Sequence, residues 1–520
     1  LVCIMQCSGS TFGYLYKSTN SGTNFTVAVT GNSANGTNYM GYSTSGTDNS
    51  GQGNYDMVLA ISPTDANEIH LGGIQTWKST NGGTSFVCTT SWSLPNSLGY
   101  CHPDMHAMEY VGNTLYTGSD GGIYKSIDKA DNFIDLTSGM SIRMIYRMGC
   151  SATDPNVIAV GAQDNGCSIK KSTGWIDWLG ADGMESAVDP NNANIIYGAT
   201  QSGSFSKTTN QGTSQSALNT PESNGNWITP FAIDKSSAIY VGYIELYKST
   251  NGGTNWTTIS NFGGSSKMDN ITVAPSNSSY IYVSKGTSIN RTTNGGTSWT
   301  SIATGLGGAT IARIAVHNSS PNKVAVITTN SNVYTSTDGG TTWTSITGNL
   351  PAAGGVCIIY DNATTAGLYV GMNSGVYYRD NTMSAWVPYM TNLPKVKVND
   401  LEIQYSVNKV RAATYGRGVW ESDLYSVATS IQKEPSFITT LKAFPNPNDG
   451  HFNLEMNIAE TNNYVIEIYN VLGELVYDES LIGFKGDYKK SFDISSYGKG
   501  VYTLSVTNSE NKNIKKLIVY

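Results

Sequence analysis

The sequence predicts an all-β chain. About ten small antiparallel blades run in tandem, arranged as one complete propeller plus part of another, and a small C-terminal β-sandwich follows. The first observation is a recurrence: Ser249-Thr-Asn-Gly-Gly-Thr-Asn-Trp256 reappears in related form at 18–25, 79–86, 292–299 and 336–343. The starts at 249, 292 and 336 lie 43 and 44 residues apart, a period that suits one four-stranded sheet and its turns. The second is the sequence ahead of each copy, which reads as short apolar or alternating runs such as Ile281-Tyr-Val283, Val324-Ala-Val-Ile327 and Gly367-Leu-Tyr-Val370. No long helical period competes with them.

Each box position has a mechanical task. Asn251 can accept hydrogen bonds from the N–H groups of its own tight turn, and Gly252 and Gly253 allow the positive φ that the turn needs. Thr254 starts the return strand, and Trp256 brings a large apolar surface to pack between blades. By the same logic Asn20, Asn81, Asn294 and Asp338 are structural turn residues. Degenerate copies at 126–133, 171–175, 208–214 and 378–386, with Gly418-Val-Trp420, carry the rhythm to about residue 425. The stretch 30–53, rich in Gly, Ser, Thr and Asn, reads as a long loop. Leu1-Val-Cys-Ile-Met5 reads as a strand in mid-blade, which implies further propeller upstream of Leu1.

The box resembles the Asp-box, or BNR, repeat of sialidases, sortilin-type receptors and two-propeller xyloglucanases. That resemblance implies a structural turn on the outer rim of a propeller, not a reactive site.

A composition break at 426–440 reads as a linker, leaving 1–425 as the propeller region and 441–520 as the sandwich. In the last region, short alternating strands are separated by Pro-Asn-Pro, Asn-Asp-Gly and Gly-Lys-Gly turns. Its blocks Phe444-Pro-Asn-Pro-Asn-Asp-Gly-His-Phe-Asn-Leu454, Ile468-Tyr-Asn-Val-Leu-Gly-Glu-Leu-Val476, Asp493-Ile-Ser-Ser-Tyr-Gly-Lys-Gly-Val-Tyr502 and Lys515-Lys-Leu-Ile-Val-Tyr520 resemble, in order, the type A C-terminal sorting domain of the Bacteroidetes type IX secretion system. The resemblance implies export across the outer membrane by that machinery. It makes Pro445, Asn446, Pro447, Gly450, Gly500, Lys515 and Lys516 parts of an address.

Composition agrees with an exported protein. Charged residues make up only 13%, with 56 Gly and 32 Tyr, as in a turn-dense β protein with an uncharged polar surface. A net charge of −7 without a basic cluster argues against nucleic acid, and no apolar run reaches membrane-spanning length. Cys88 with Cys101 and Cys150 with Cys167 are close enough in sequence to pair in an oxidising space, and seven cysteines leave at least one thiol unpaired.

Residues 100–203 depart from plain repeat. Their blocks Tyr100-Cys-His-Pro-Asp-Met-His-Ala107, Gly118-Ser-Asp-Gly-Gly-Ile-Tyr-Lys-Ser126, Gly161-Ala-Gln-Asp-Asn-Gly166 and Gly180-Ala-Asp-Gly-Met-Glu185 resemble the H-x-D-x-H, DGG, QDNG and GDG blocks of a subgroup of secreted Bacteroidetes BNR-propeller proteins, with Ala181 where a second Gly is usual. His102, Asp104 and His106 alternate, so an extended segment would present all three to one face. That pattern suits a metal ion or a polar ligand, or else a hydrogen-bonded cluster that locks a loop. No other cofactor is expected. Asp120, Asp164 and Asp182 each sit within two residues of a glycine in turn-like sequence. Asp120, in Ser119-Asp-Gly-Gly-Ile-Tyr-Lys-Ser126, resembles the catalytic-aspartate position of xyloglucanase-type propellers, although their intervening Val is absent. With Asp164, Asp182 or Glu185 at a suitable separation it would form an acid–base pair on a glycosidic bond. The alternative, which the sequence favours, is that these carboxylates bond the N–H groups of their own turns and share no cleft.

Three arginines clamping a carboxylate, as in a sialidase, are not signalled by Arg143, Arg147, Arg291, Arg313, Arg379, Arg411 and Arg417, none of which sits in an Arg-Ile-Pro context. No nucleophile elbow is present either. Arg417 reads as a residue that bonds backbone carbonyls in a closing blade. The expectation is a secreted, surface-displayed propeller that binds extracellular glycans or surface proteins. Glycoside hydrolysis is the alternative, and a structural part in an extracellular layer or filament is a second one.

Overall fold

The computed structural model describes residues 1–93, 98–362, 365–426, 438–508 and 512–520 and divides into two compact units, 1–424 and 425–520. Among the described residues the helices are four three-residue 3-10 turns, and strands carry the fold.

The first unit contains ten antiparallel sheets in chain order, blades 1 to 10, at 2–30, 58–88, 105–135, 145–179, 183–217, 231–258, 270–301, 311–345, 355–388 and 398–423. Each is a meander in which consecutive strands pair. Blades 4 to 10 close into a ring of seven. Their innermost strands, Ile145–Cys150, Gly183–Val188, Phe231–Ile233, Asn270–Val273, Ile311–Val316, Gly355–Tyr360 and Val398–Gln404, stand side by side, and the last returns to the first. At the closure Asn399 donates from Nδ2 to the Ile145 carbonyl at 2.8 Å, and the Met148 N–H donates to Asp400 Oδ2 at 3.2 Å. Arg411 donates to the Pro155 carbonyl at 2.7 Å. Blades 1 to 3 precede the ring in the chain, and the ten blades match the number the sequence predicts.

Continuous apolar runs become the second strand of each blade because that strand is covered on both faces by neighbouring blades. Val324–Thr328 and Leu368–Met372 are buried at every position. Close stacking also explains Gly161: a Cβ there would lie 2.0 Å from the Met184 carbonyl of the next blade.

The boxes do what their chemistry requires. Asn251 Oδ1 accepts from Ser249 Oγ at 2.9 Å and from the Asn255 N–H at 2.9 Å, while Ser249 Oγ accepts from the Gly253 N–H at 3.0 Å. Gly252 and Gly253 hold φ of +68° and +88°. Asn20, Asn81, Asn294 and Asp338 repeat this bonding. Asp128 shows that a degenerate box keeps it too. The box tryptophans then tie blade to blade through Nε1: Trp256 to the Asn219 carbonyl, Trp299 to Ile259, Trp343 to Ile302 and Trp386 to Ile346, at 2.7–2.9 Å. Each buries its ring against the preceding blade while its one donor is satisfied there.

The predicted cysteine pairs do not form: all seven thiols are free. Cys88 Sγ donates to the Thr90 carbonyl, whereas Cys101 faces Thr117 and Met105. Cys167 points at the Ala199 carbonyl of the next blade. Blade packing, not separation in the chain, directs each side chain.

The second unit has five strands, Ile438–Phe444, His451–Tyr469, Leu475–Asp493, Gly500–Thr507 and Lys512–Val519. The two long strands pair with each other and lose register between Ile458 and Tyr464. This break separates the part of His451–Tyr469 that pairs with Ile438–Phe444 from the part that pairs with Gly500–Thr507. Phe452, Leu454, Ile466, Ile468, Leu504 and Leu517 from both halves meet in one core, which gives the sandwich. Its first strand starts at Ile438, inside the segment read as a linker, and 427–437 of that segment lie outside the described residues. The turn block has a physical role as well: Asn446 accepts from the Ile518 N–H at 2.8 Å and donates to the Lys516 carbonyl at 2.7 Å, stitching Pro445–Pro447 to the strand that holds Lys515 and Lys516. A Cβ at Gly450 would fall 2.5 Å from Ser495 Cα, so only glycine fits there.

Candidate functional site

The blocks of 100–203 meet where blade 3 adjoins blade 4. The strand Met105–Val111 begins after Asp104, which has φ +64°, so His102, Asp104 and His106 do not share one extended face. Each takes a separate partner. His102 Nε2 lies 2.9 Å from the Asp164 carbonyl; Gln52 donates to Asp104 Oδ1 at 2.6 Å; His106 Nε2 lies 2.8 Å from Asp120 Oδ1. Among the described residues no group of three His, Cys, Asp or Glu is placed to hold a metal ion. The three donors do not converge on one point.

The aspartates behave differently from the expectation of isolated turn caps. Asp120 accepts from Tyr55 OH at 2.9 Å as well as meeting His106. Asp182 Oδ1 accepts from the Asp164 N–H at 3.0 Å, across from its own turn, and Asn165 donates to the Asp120 carbonyl at 3.1 Å. Asp164, at φ +56°, is lifted to about 6 by burial and then by the charges of Asp182 and Asp120. Burial, and then Asp120, also raises Asp104. The carboxyls are therefore one electrostatic group, because turns from blades 3, 4 and 5 bring them together.

Two members had no signal in the sequence beyond closing the 30–53 loop. Tyr55 stands half exposed, edge-on to the His106 ring with centroids 4.9 Å apart. Asp56 is wholly buried, and neither of its oxygens receives a hydrogen bond from another residue's N–H or O–H. It faces the Asp104 carboxyl, and burial first, then Asp104, pushes it up to about 8, so it carries the proton that the pair shares. Their loop is held by Asn38, which accepts from the Phe12 N–H at 2.9 Å, and by buried Tyr39 and Met40.

The face continues onto the ring. Asn165 donates to the Gln163 carbonyl at 3.0 Å, and the Gln163 side chain accepts from Tyr146 OH at 2.9 Å and from Tyr415 OH. Tyr146 OH accepts from Trp227 Nε1 at 3.5 Å, and the Trp227 ring is half exposed. Arg417 bonds the Gly416 carbonyl at 2.7 Å.

Glu185 does not join this group. It faces the axis of the ring, where a cavity of about 430 Å³ is lined by inner-strand residues including Arg313, Asp400 and Glu402. Arg147 lies 3.5 Å from Glu185, and Arg313 lies 3.1 Å from Asp400. Burial raises Glu185 to about 7 against the pull of Arg147, and Glu402 to about 8.

Comparison with known proteins agrees with this architecture. The secretion system C-terminal sorting domain family matches residues 442–520, and the sortilin (neurotensin receptor 3) family matches 244–353. No curated protein matches the chain. Among solved structures it is similar to a GH74 enzyme of Niastella koreensis, at 16% identity over 80% of each chain with a TM-score of 0.34. It is also similar to YCF48 from Cyanidioschyzon merolae, at 11% identity over 54% of this chain and 96% of that one, TM-score 0.44. A catalytically inactive virginiamycin B lyase from Staphylococcus aureus, solved with quinupristin, is 12% identical over 56% of this chain and 98% of its own, TM-score 0.46. At these identities no activity transfers. The chain is an all-β, Asp-box propeller protein, secreted or displayed at the cell surface through the type IX sorting domain at its C-terminal end.

Proposed function

We propose that this secreted propeller binds extracellular glycans across the face where blade 3 meets the ring. The observation that carries the reading is the placement of two half-exposed aromatic rings, Tyr55 and Trp227, at the ends of one polar chain. Between them run Asp120, Asn165, Gln163 and Tyr146, each bonded to the next. Sugar rings present apolar faces that stack on aromatics and hydroxyls that seek planar amides and carboxylates, so this alternation suits them. Purified protein on a glycan array should retain defined oligosaccharides. Trp227→Ala and Tyr55→Ala should each weaken retention about tenfold or more, the scale of one lost aromatic contact. Unchanged retention in both variants rejects this face as the binding site.

A second reading, glycoside hydrolysis, has its own support in Asp164, a carboxyl lifted to about 6 beside the carboxyls of Asp120 and Asp182. A proton-holding acid next to a second carboxyl is the pairing that cleavage of a glycosidic bond uses. Release of reducing ends from a bound polysaccharide, lost in Asp120→Asn with binding kept, would establish it. Binding without release leaves the binder.

A further inference from the structure

Independently of that face, the ring axis carries a site of different chemistry: we infer that its cavity takes a small zwitterion, an α-amino acid with its ammonium and carboxylate both free. The cavity, of about 430 Å³, has the size of a small-molecule site. Glu185, Asp400, Glu402 and the guanidinium of Arg313 line it. Two of these acids are matched: Arg147 lies 3.5 Å from Glu185, and Arg313 lies 3.1 Å from Asp400. Asp400 also accepts from the Met148 and Leu401 N–H groups at 3.2 and 3.1 Å, so both its oxygens are engaged. Glu402 is the acid left over, with no hydrogen bond and no ion pair among the described residues. Lack of a cation is not what sets it apart, since Asp189, Asp234 and Asp380 are buried without one. Each of those accepts N–H groups of its own turn: Asp189 from Asn191, Asp234 from Ser236 and Ala238, and Asp380 from Thr382. Glu402 has no donor of any kind.

Arg313 shows the complementary gap. Of its N–H donors, only Nη2 meets a protein acceptor among the described residues. Asp400 and Glu402 share one face of the strand Val398–Gln404, two residues apart, which sets their Cα atoms about 7 Å from each other. Because Arg313 is bonded to Asp400, its open edge and the Glu402 carboxyl stand on the cavity wall about one such step apart. An α-amino acid spans that gap, since its ammonium and carboxylate hang from one carbon atom and each adds a charge-assisted hydrogen bond of about 3 Å. A simple amine would leave Arg313 open, and a simple carboxylate would leave Glu402 without a donor. Water can fill the volume but does not neutralise the odd acid. Burial, and then Asp400, raises Glu402 to about 8, the response of an acid without a partner, and an ammonium beside it would reverse that shift. Phe231, Val316 and Ile403 line the same cavity and suit an apolar side chain on the ligand.

The test is calorimetric titration of the full chain with leucine, N-acetyl-leucine and leucinamide. Leucine should bind saturably, with a Kd of about 1 mM or tighter. N-acetyl-leucine, which lacks the ammonium, and leucinamide, which lacks the carboxylate, should each bind about tenfold or more weakly, the scale of one charge-assisted contact. Glu402→Gln should lower leucine to the level of N-acetyl-leucine and leave N-acetyl-leucine unchanged. Its melting temperature should not fall, because Glu402 has no partner to lose. Arg313→Lys keeps a cation beside Asp400 but removes the open edge of the guanidinium, and should lower leucine towards leucinamide. No saturable heat with about 10 mM leucine would mean that the cavity holds water alone, and overturns the proposal. Binding of either blocked derivative as tightly as leucine also overturns it, and so does a leucine affinity that survives Glu402→Gln.

Discussion

His102 Nε2 lies 2.9 Å from the main-chain oxygen of Asp164, and this contact joins blade 3 to blade 4 of the closed ring. It depends on Gly121, where a Cβ would fall 2.1 Å from the imidazole, so the Asp-Gly-Gly turn leaves room for the histidine that bridges the two.

The first prediction concerns this bridge. His102→Ala should loosen the coupling by about 1–2 kcal/mol, the scale of a hydrogen bond with a partly buried partner. Heat unfolding followed by calorimetry should then split towards two transitions, blades 1–3 melting before the ring. Gly121→Ala should do the same by displacing the imidazole. One unchanged, single transition in both variants would refute the coupling role.

The box tryptophans make the ring's stability testable. Trp386 is 2% exposed and bonds the Ile346 carbonyl of the preceding blade. Trp386→Ala should cost about 3–5 kcal/mol, as large aromatic truncations in packed cores do. Urea denaturation should show the midpoint fall. By contrast Trp227→Ala, at an exposed ring, should leave it within about 0.5 kcal/mol.

The Asp56–Asp104 pair gives a pH dependence with a definite sign. Asp56 is raised in the folded state to about 8. The folded form therefore binds a proton that the unfolded chain releases near pH 4, and the stability this gives is complete below that value. It is lost as pH rises through about 8. Asp56→Asn keeps a donor towards Asp104 and removes the titration, so the variant should gain melting temperature over the parent at pH 8.5 but not at pH 4. The gain should be roughly 2–4 °C for each kcal/mol recovered. Parallel pH profiles for the two proteins would refute the shared proton.

Removal of 441–520 should leave the propeller folded, because its blades close on one another through Asn399, Arg411 and the box tryptophans. In a host with the secretion system the truncated chain should accumulate inside the outer membrane. Surface display equal to that of the intact protein would contradict the role of the sorting domain.

What was legible in the sequence was local. A turn that needs Asn251 to receive its own N–H groups and glycines at positive φ leaves a fixed signature, so box, period and blade count could be counted from residues alone. The sorting domain was legible for a similar reason: the Pro445-Asn446-Pro447 turn is bonded to the strand Lys512–Val519, and Gly450 sits against Ser495 where no Cβ fits. The site was not legible in that way. Asp120 and Asp164 looked like ordinary turn aspartates because each turn by itself is ordinary. Only the stacking of blades 3, 4 and 5 sets their carboxyls in one group, and only a loop folded back through Asn38 delivers Tyr55 and Asp56 to it. The same stacking sent Cys88 and Cys101, close in the chain, to different neighbours. Hydrogen bonds within a turn are written into a few adjacent residues, whereas the energy of opposed charges depends on distances that the packed blades alone decide.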